Sequence, residues 1–108
     1  MEFLTSLITV VPDGTSAHTE ADTRAKEAIR AAELAGQGHL LRLWQAPLPS
    51  GQPRTLGLWR ANSEEELHAI LATLPLHVWM TVETTTLSPH PNDPGVKSAR
   101  GTTQADPA

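Results

Sequence analysis

The sequence predicts a single α+β domain of order β-α-β-β-α-β, and three observations carry that expectation. Four short apolar or β-branched runs alternate with two stretches of helical composition, strong Pro and Gly turn signals separate them, and the middle two runs are close enough to form a hairpin. This is the ferredoxin-like split βαβ pattern, an antiparallel four-stranded sheet carrying both helices on one face.

The first strand is expected over Phe3 to Val11, stopping at Val11-Pro12-Asp13-Gly14. From about Thr19 to Ala35 the composition turns to Ala, Glu, Arg and Lys, with Ala21, Ala25, Ala28, Ile29 and Ala32 as a thin apolar stripe and Gly36 and Gly38 beyond the end. His39 to Gln45 reads as a strand, Pro47 to Pro53 as a turn-rich loop and Arg54 to Arg60 as the returning strand of a hairpin. Asn62 or Ser63 caps a second helix that has Glu64, Glu65 and Glu66 in its first turn, where carboxylates favour the helix dipole. Its Leu67, Ile70, Leu71 and Leu74 fall at helical spacing. In the last strand Val78, Met80 and Val82 alternate with His77, Trp79, Thr81 and Glu83.

Length allows one core, assigned to residues 1–92, and the polar segment 93–108 reads as a flexible tail. Eight Lys and Arg against twelve Asp and Glu, with no basic run, argue against nucleic acid as a partner. No apolar run reaches the roughly 20 residues needed to span a bilayer, and the N-terminus lacks the features of a signal peptide, so a cytoplasmic protein with no membrane partner is expected. The absence of cysteine removes disulfides and thiolate chemistry. Aromatic area is concentrated in Trp44, Trp59 and Trp79. If Trp59 and Trp79 emerge on the sheet face that the helices leave bare, that face is too apolar to stay wet, and a homo-oligomer follows.

One run is more specific than the rest. Leu74-Pro75-Leu76, then Trp79-Met80, and later His90-Pro91 resemble the C-terminal signature of the muconolactone delta-isomerase family. The resemblance extends, dispersed, over residues 1–92, through Arg24-Ala25-Lys26-Glu27, Leu43-Trp44, and Ser63 followed by Glu66-Leu67-His68. It implies ferredoxin-like subunits in cyclic assemblies, decamers built from dimers, with sites at subunit boundaries. It also implies a cofactor-free proton shift that converts muconolactone to 3-oxoadipate enol-lactone.

Such a shift requires a base, a donor for the dienolate oxygen and a clamp for the substrate carboxylate. Glu27 is the leading base, since it aligns with a Glu in the family's first helix and burial in an apolar cleft would raise its pKa. The alternative is a solvated ion-pair residue among Arg24, Lys26 and Arg30. Arg42 and Arg24 are candidates for gripping an anion, Arg42 sharing a pleat face with Trp44. Arg42 could equally be an edge-strand charge that keeps the hairpin soluble. His77 could donate to the dienolate oxygen, His68 could border the site or simply end an apolar stripe, and His90 between prolines suits a site edge or an interface. Trp44, Trp59 and Trp79 would shape an apolar pocket. No two histidines stand at metal-ligand spacing on one helix, so no metal or other cofactor is expected.

The chain also departs from the family. Arg42 stands where catabolic members tend to have His, Gln45 where they have Arg, Gly57 where they have Ser and Trp79 where they have Tyr, and the loop from Ala46 to Arg54 is longer. These departures are expected to cluster on one face and to change the substrate, pointing to a divergent isomerase acting on an unsaturated lactone or enone. A cofactor-free cyclase, dehydratase or oxygenase of a natural-product-like intermediate, or a noncatalytic binding protein, would also fit this fold.

Overall fold

The computed structural model describes residues 1–95. The order is β1 (Glu2–Thr9), α1 (Ala17–Gly36), β2 (Leu40–Gln45), β3 (Thr55–Arg60), α2 (Glu64–Leu71), a 3-10 segment (Pro75–Trp79) and β4 (Met80–Leu87). The strands form one sheet in the order β2-β3-β1-β4, with every neighbouring pair antiparallel. The predicted α+β architecture is therefore the observed one. The expectation for the 93–108 tail falls, from residue 96 onward, outside the described residues.

Local chemistry sets the element ends. The Thr19 backbone N–H donates to the Ser16 side chain at 3.0 Å, which caps α1. At α2 the Glu66 N–H donates to Ser63 Oγ at 3.0 Å, and Glu66 Oε1 accepts from the Asn62 N–H at 2.6 Å, so Ser63 rather than Asn62 is the cap. Phe3, Thr5 and Leu7 of β1 are buried on the helix-covered face, where Phe3 pairs across the sheet with Trp59. Leu34, Leu40, Ala61, Leu67, Leu71 and Leu74 complete the core around them.

Three expectations are corrected. The stripe of Ala21, Ala25, Ala28, Ile29 and Ala32 does not pack on the sheet: all five residues are exposed, Ile29 at 63%, although Ala28 borders the cavity between α1 and the sheet. Thr23, Glu27, Ala31 and Leu34 turn inward instead. Alanine buries too little area to fix a helix rotation, so Leu34 decides it, and spacing backward by helical turns from Leu34 carries Glu27 inward. The last strand starts later than expected. Leu74 takes the extended backbone favoured before proline, Pro75 opens a 3-10 segment, and the His77 N–H closes it on the Leu74 carbonyl at 2.9 Å. Met80 and Val82 keep their inward alternation opposite Thr9 and Leu7, but His77, Val78 and Trp79 lie off the strand and Val78 is 81% exposed.

Finally, Trp59 is fully buried under the helices and Trp79 belongs to the 3-10 segment, so neither forms the bare sheet face. The pairing register gives that face to Leu4, Ser6, Ile8, Leu56 and Leu58, flanked by Arg42 and Trp44 on β2 and by Glu83 on β4. A register shift between Leu40 and Arg42 explains part of the difference. This irregularity sends Leu40, Leu43 and Gln45 to the helix side and Arg42 and Trp44 to the other.

Candidate active site

A cavity of about 700 Å³ opens between α1, the helix-side face of the sheet, the β2–β3 loop and the Pro75 corner. Leu7, Leu40, Leu43, Leu76, Met80 and Trp59 supply its apolar surface, and Arg24, Glu27, Gln45 and Arg54 bring the charged and amide groups. This mix of apolar walls with a few converging polar groups suits a small organic molecule.

Glu27 is the best-defined polar group. Its Oε1 accepts from the Leu76 backbone N–H at 2.9 Å, so the corner that ends α2 also orients the carboxylate on α1. No other hydrogen bond to its carboxylate occurs among the described residues. Withdrawal from water raises its pKa above the ordinary 4.5, opposed by the Leu76 N–H and by the charge of His77 nearby. An oriented carboxylate that accepts a proton more readily than an exposed one is a competent base in an apolar site.

Trp59 forms a fixed wall. Its indole N–H donates to the buried Thr5 hydroxyl at 2.8 Å, and it lies so close over Gly57 that a Cβ there would come within 2.6 Å of the indole nitrogen. Gly57 is therefore a packing requirement of Trp59. Position 57 and Gln45 face the helix side, whereas Arg42 faces the other and Trp79 lies off the strand, so the departures from the family pattern do not share one face.

The other predicted site residues separate into groups. Arg24 reaches the cavity while bound to Glu20 at 3.0 Å. His77 is not among the lining residues but acts on Glu27 through its charge. Arg42 stacks on Trp44, 5.0 Å from the ring centroid, and both lie on the far face of the sheet from Glu27 within the subunit. His68 is exposed on α2, 3.7 Å from Glu64, outside the cavity lining. Trp79 accepts from the Val10 N–H through its carbonyl at 2.8 Å and does not line the cavity. His90 is exposed beyond β4, where its Nδ1 accepts from the Asn92 N–H at 2.9 Å. Among the described residues no three His, Asp or Glu side chains gather as metal ligands would, and no helix is long and apolar enough to cross a membrane.

Sequence reasoning missed Arg54 as a cavity residue and the Leu76 N–H as the partner of Glu27. A cation ending a proline-rich loop was the available signal for Arg54. Nothing local could reveal the second, because its partners are separated by 49 positions.

Comparison with known proteins agrees with this architecture. The muconolactone delta-isomerase family model matches residues 1–93. The muconolactone delta-isomerase of Acinetobacter baylyi is 37% identical over 60 residues, a match covering 56% of this chain and 59% of that protein. The one from Cupriavidus pinatubonensis is 27% identical over 92 residues, covering 85% and 97%. A crystal structure of muconolactone isomerase superposes with a TM-score of 0.73 at 26% identity, covering 85% of this chain and 93% of that one. A 5-chloro-2-hydroxyhydroquinone dehydrochlorinase from Burkholderia phenoliruptrix shares the fold, with a TM-score of 0.60 at 13% identity and coverage of 82% and 94%. With the family pattern running through the whole sheet, both helices and the Pro75 corner, this chain belongs to the muconolactone delta-isomerase family.

Proposed function

We propose that this protein is a cofactor-independent isomerase that moves a carbon–carbon double bond within an unsaturated lactone or related enone, with Glu27 as the proton carrier. The observation that carries this reading is the half-buried Glu27 carboxylate, held by one backbone N–H in an apolar cavity. In a butenolide the carboxylate removes the γ-proton, the electron pair delocalises onto the lactone oxygen as a dienolate, and the carboxyl group, having exchanged its proton with solvent, delivers one to the α-carbon. These two carbons flank one shared carbon, so a single fixed base can serve both. Arg24 and Gln45 bring N–H donors to the cavity walls for the developing oxyanion. His77 supports the carboxylate form of Glu27 and is a positioning residue in this scheme. Trp59 shapes the apolar wall.

Arg42 and Trp44 belong, in this reading, to self-association through the outer sheet face, and the protein acts as a cytoplasmic homo-oligomer. His68, Trp79 and His90 have no assigned part in the proton transfer. The test is proton exchange on muconolactone followed by NMR in deuterated water. Glu27-dependent incorporation at the α-carbon with double-bond migration is expected; consumption of oxygen, or unchanged turnover in Glu27→Gln, would remove the mechanism.

A further inference from the structure

The β2–β3 loop contributes a second functional group to the cavity. Arg54 stands at its base, where the Ala46 N–H donates to the Arg54 carbonyl at 2.9 Å and the Arg54 Nε–H donates to the Ala46 carbonyl at 2.8 Å. Farther out, the Leu48 N–H donates to the Gln52 carbonyl at 2.9 Å and the Gly51 N–H to the Leu48 carbonyl at 2.8 Å, with Gly51 in the left-handed region at φ 91°. The loop is thus a hydrogen-bonded extension of the hairpin, and it delivers a part-buried guanidinium to the cavity.

That guanidinium is unusual in this chain. Among the described residues Arg24 pairs with Glu20, Arg30 with Glu33 and Arg60 with Glu2, while Arg42 lies over Trp44. Arg54 has no carboxylate within 4.0 Å among the described residues, and its only side-chain hydrogen bond uses Nε. Both terminal nitrogens are left with N–H donors, the pair that grips a carboxylate end-on. A part-buried cation beside apolar walls is best satisfied by an anion that arrives with the ligand.

We propose that Arg54 is the group that receives the substrate's carboxylate and holds it apart from the carbons that exchange protons. This rests on the isomerase reading for the identity of the reacting part, but the anion site itself does not. The placement of charge orients the ligand. A carboxylate set against Glu27 meets a like charge, whereas one on Arg54 leaves the neutral ring facing the base. Gln45, facing the same cavity, has no charge to compete for the anion.

The experiment compares muconolactone with its uncharged methyl ester on wild type, Arg54→Gln and Arg54→Lys. Arg54→Gln should raise KM for the acid by roughly 10- to 100-fold, while changing KM for the ester less than about twofold. Arg54→Lys, which keeps the charge but loses the fork, should fall between. Equal effects on acid and ester in both variants, or no effect, overturn the proposal. Muconolactone binding is read in parallel from tryptophan fluorescence, which needs no turnover. Arg54-dependent binding without isomerisation keeps the anion site and removes the isomerase reading; binding indifferent to Arg54, or no binding, removes the anion site.

Discussion

A carboxylate half withdrawn from water holds its proton to a higher pH than an exposed one, and α1 puts Glu27 in that position. Replacing it with Gln keeps an acceptor for the Leu76 N–H but removes the proposed base. Turnover should fall by roughly 100- to 10,000-fold, measured as the rate of double-bond migration, with the circular dichroism spectrum unchanged. The pH profile of kcat/KM should carry an acid limb displaced upward from 4.5, because the carboxylate is the active form and desolvation raises its pKa. Stability carries the opposite sign. With a folded pKa above the unfolded one, the folded state binds more protons between the two values, so stability declines as pH rises through them. Glu27→Gln removes that loss. Its Tm should match or exceed the wild-type Tm near pH 8, and the advantage should vanish at acid pH.

At the scale of elements, β3 is the part most constrained by its neighbours. Adding a methyl group at Gly57 forces the Trp59 indole away from its bond to Thr5, leaving a buried N–H without its partner. Gly57→Ala should cost about 1–3 kcal/mol in denaturant unfolding and shift tryptophan emission. This coupling also shows what local pattern can convey. The cap at Ser63, one of two candidates with Asn62, the hairpin and the inward Met80 and Val82 follow from residue type and spacing and were legible, whereas the cap at Ser16, ahead of the expected start of α1 at Thr19, was passed over. Three further features were not legible. The rotation of α1 depended on Leu34 because its alanines are energetically weak, the strand after Pro75 was delayed by a proline-driven turn, and β2 changed faces at an irregularity no period reveals. The place of Glu27 in the cavity was legible through family resemblance, while Arg54, expected as a strand's first residue, ends the loop before β3, and only the folded hairpin reveals that it reaches the cavity.

At the scale of the whole molecule the sheet has two unlike faces. One carries both helices and the Glu27 cavity; the other presents Leu4, Ile8, Leu56 and Leu58, with Trp44 still 39% exposed beside them. No element of the subunit lies over this second face among the described residues, and an apolar patch on a small domain favours association. An identical face on a second copy covers Leu4, Ile8, Leu56 and Leu58 with symmetry and leaves Glu83, on the edge strand β4, at the rim. The native mass in solution should therefore be a multiple of the 11.6 kDa chain. Leu58→Glu should lower that mass, since it sets a carboxylate at the centre of the patch on every copy. The Glu27 cavity lies across the sheet from this position, so exchange activity per subunit should stay within a few-fold of wild type wherever the variant remains folded. An unchanged mass, measured by light scattering, would show that the outer face is not the contact. A lowered mass with lost activity and an intact fold would show instead that a neighbouring copy completes the cavity.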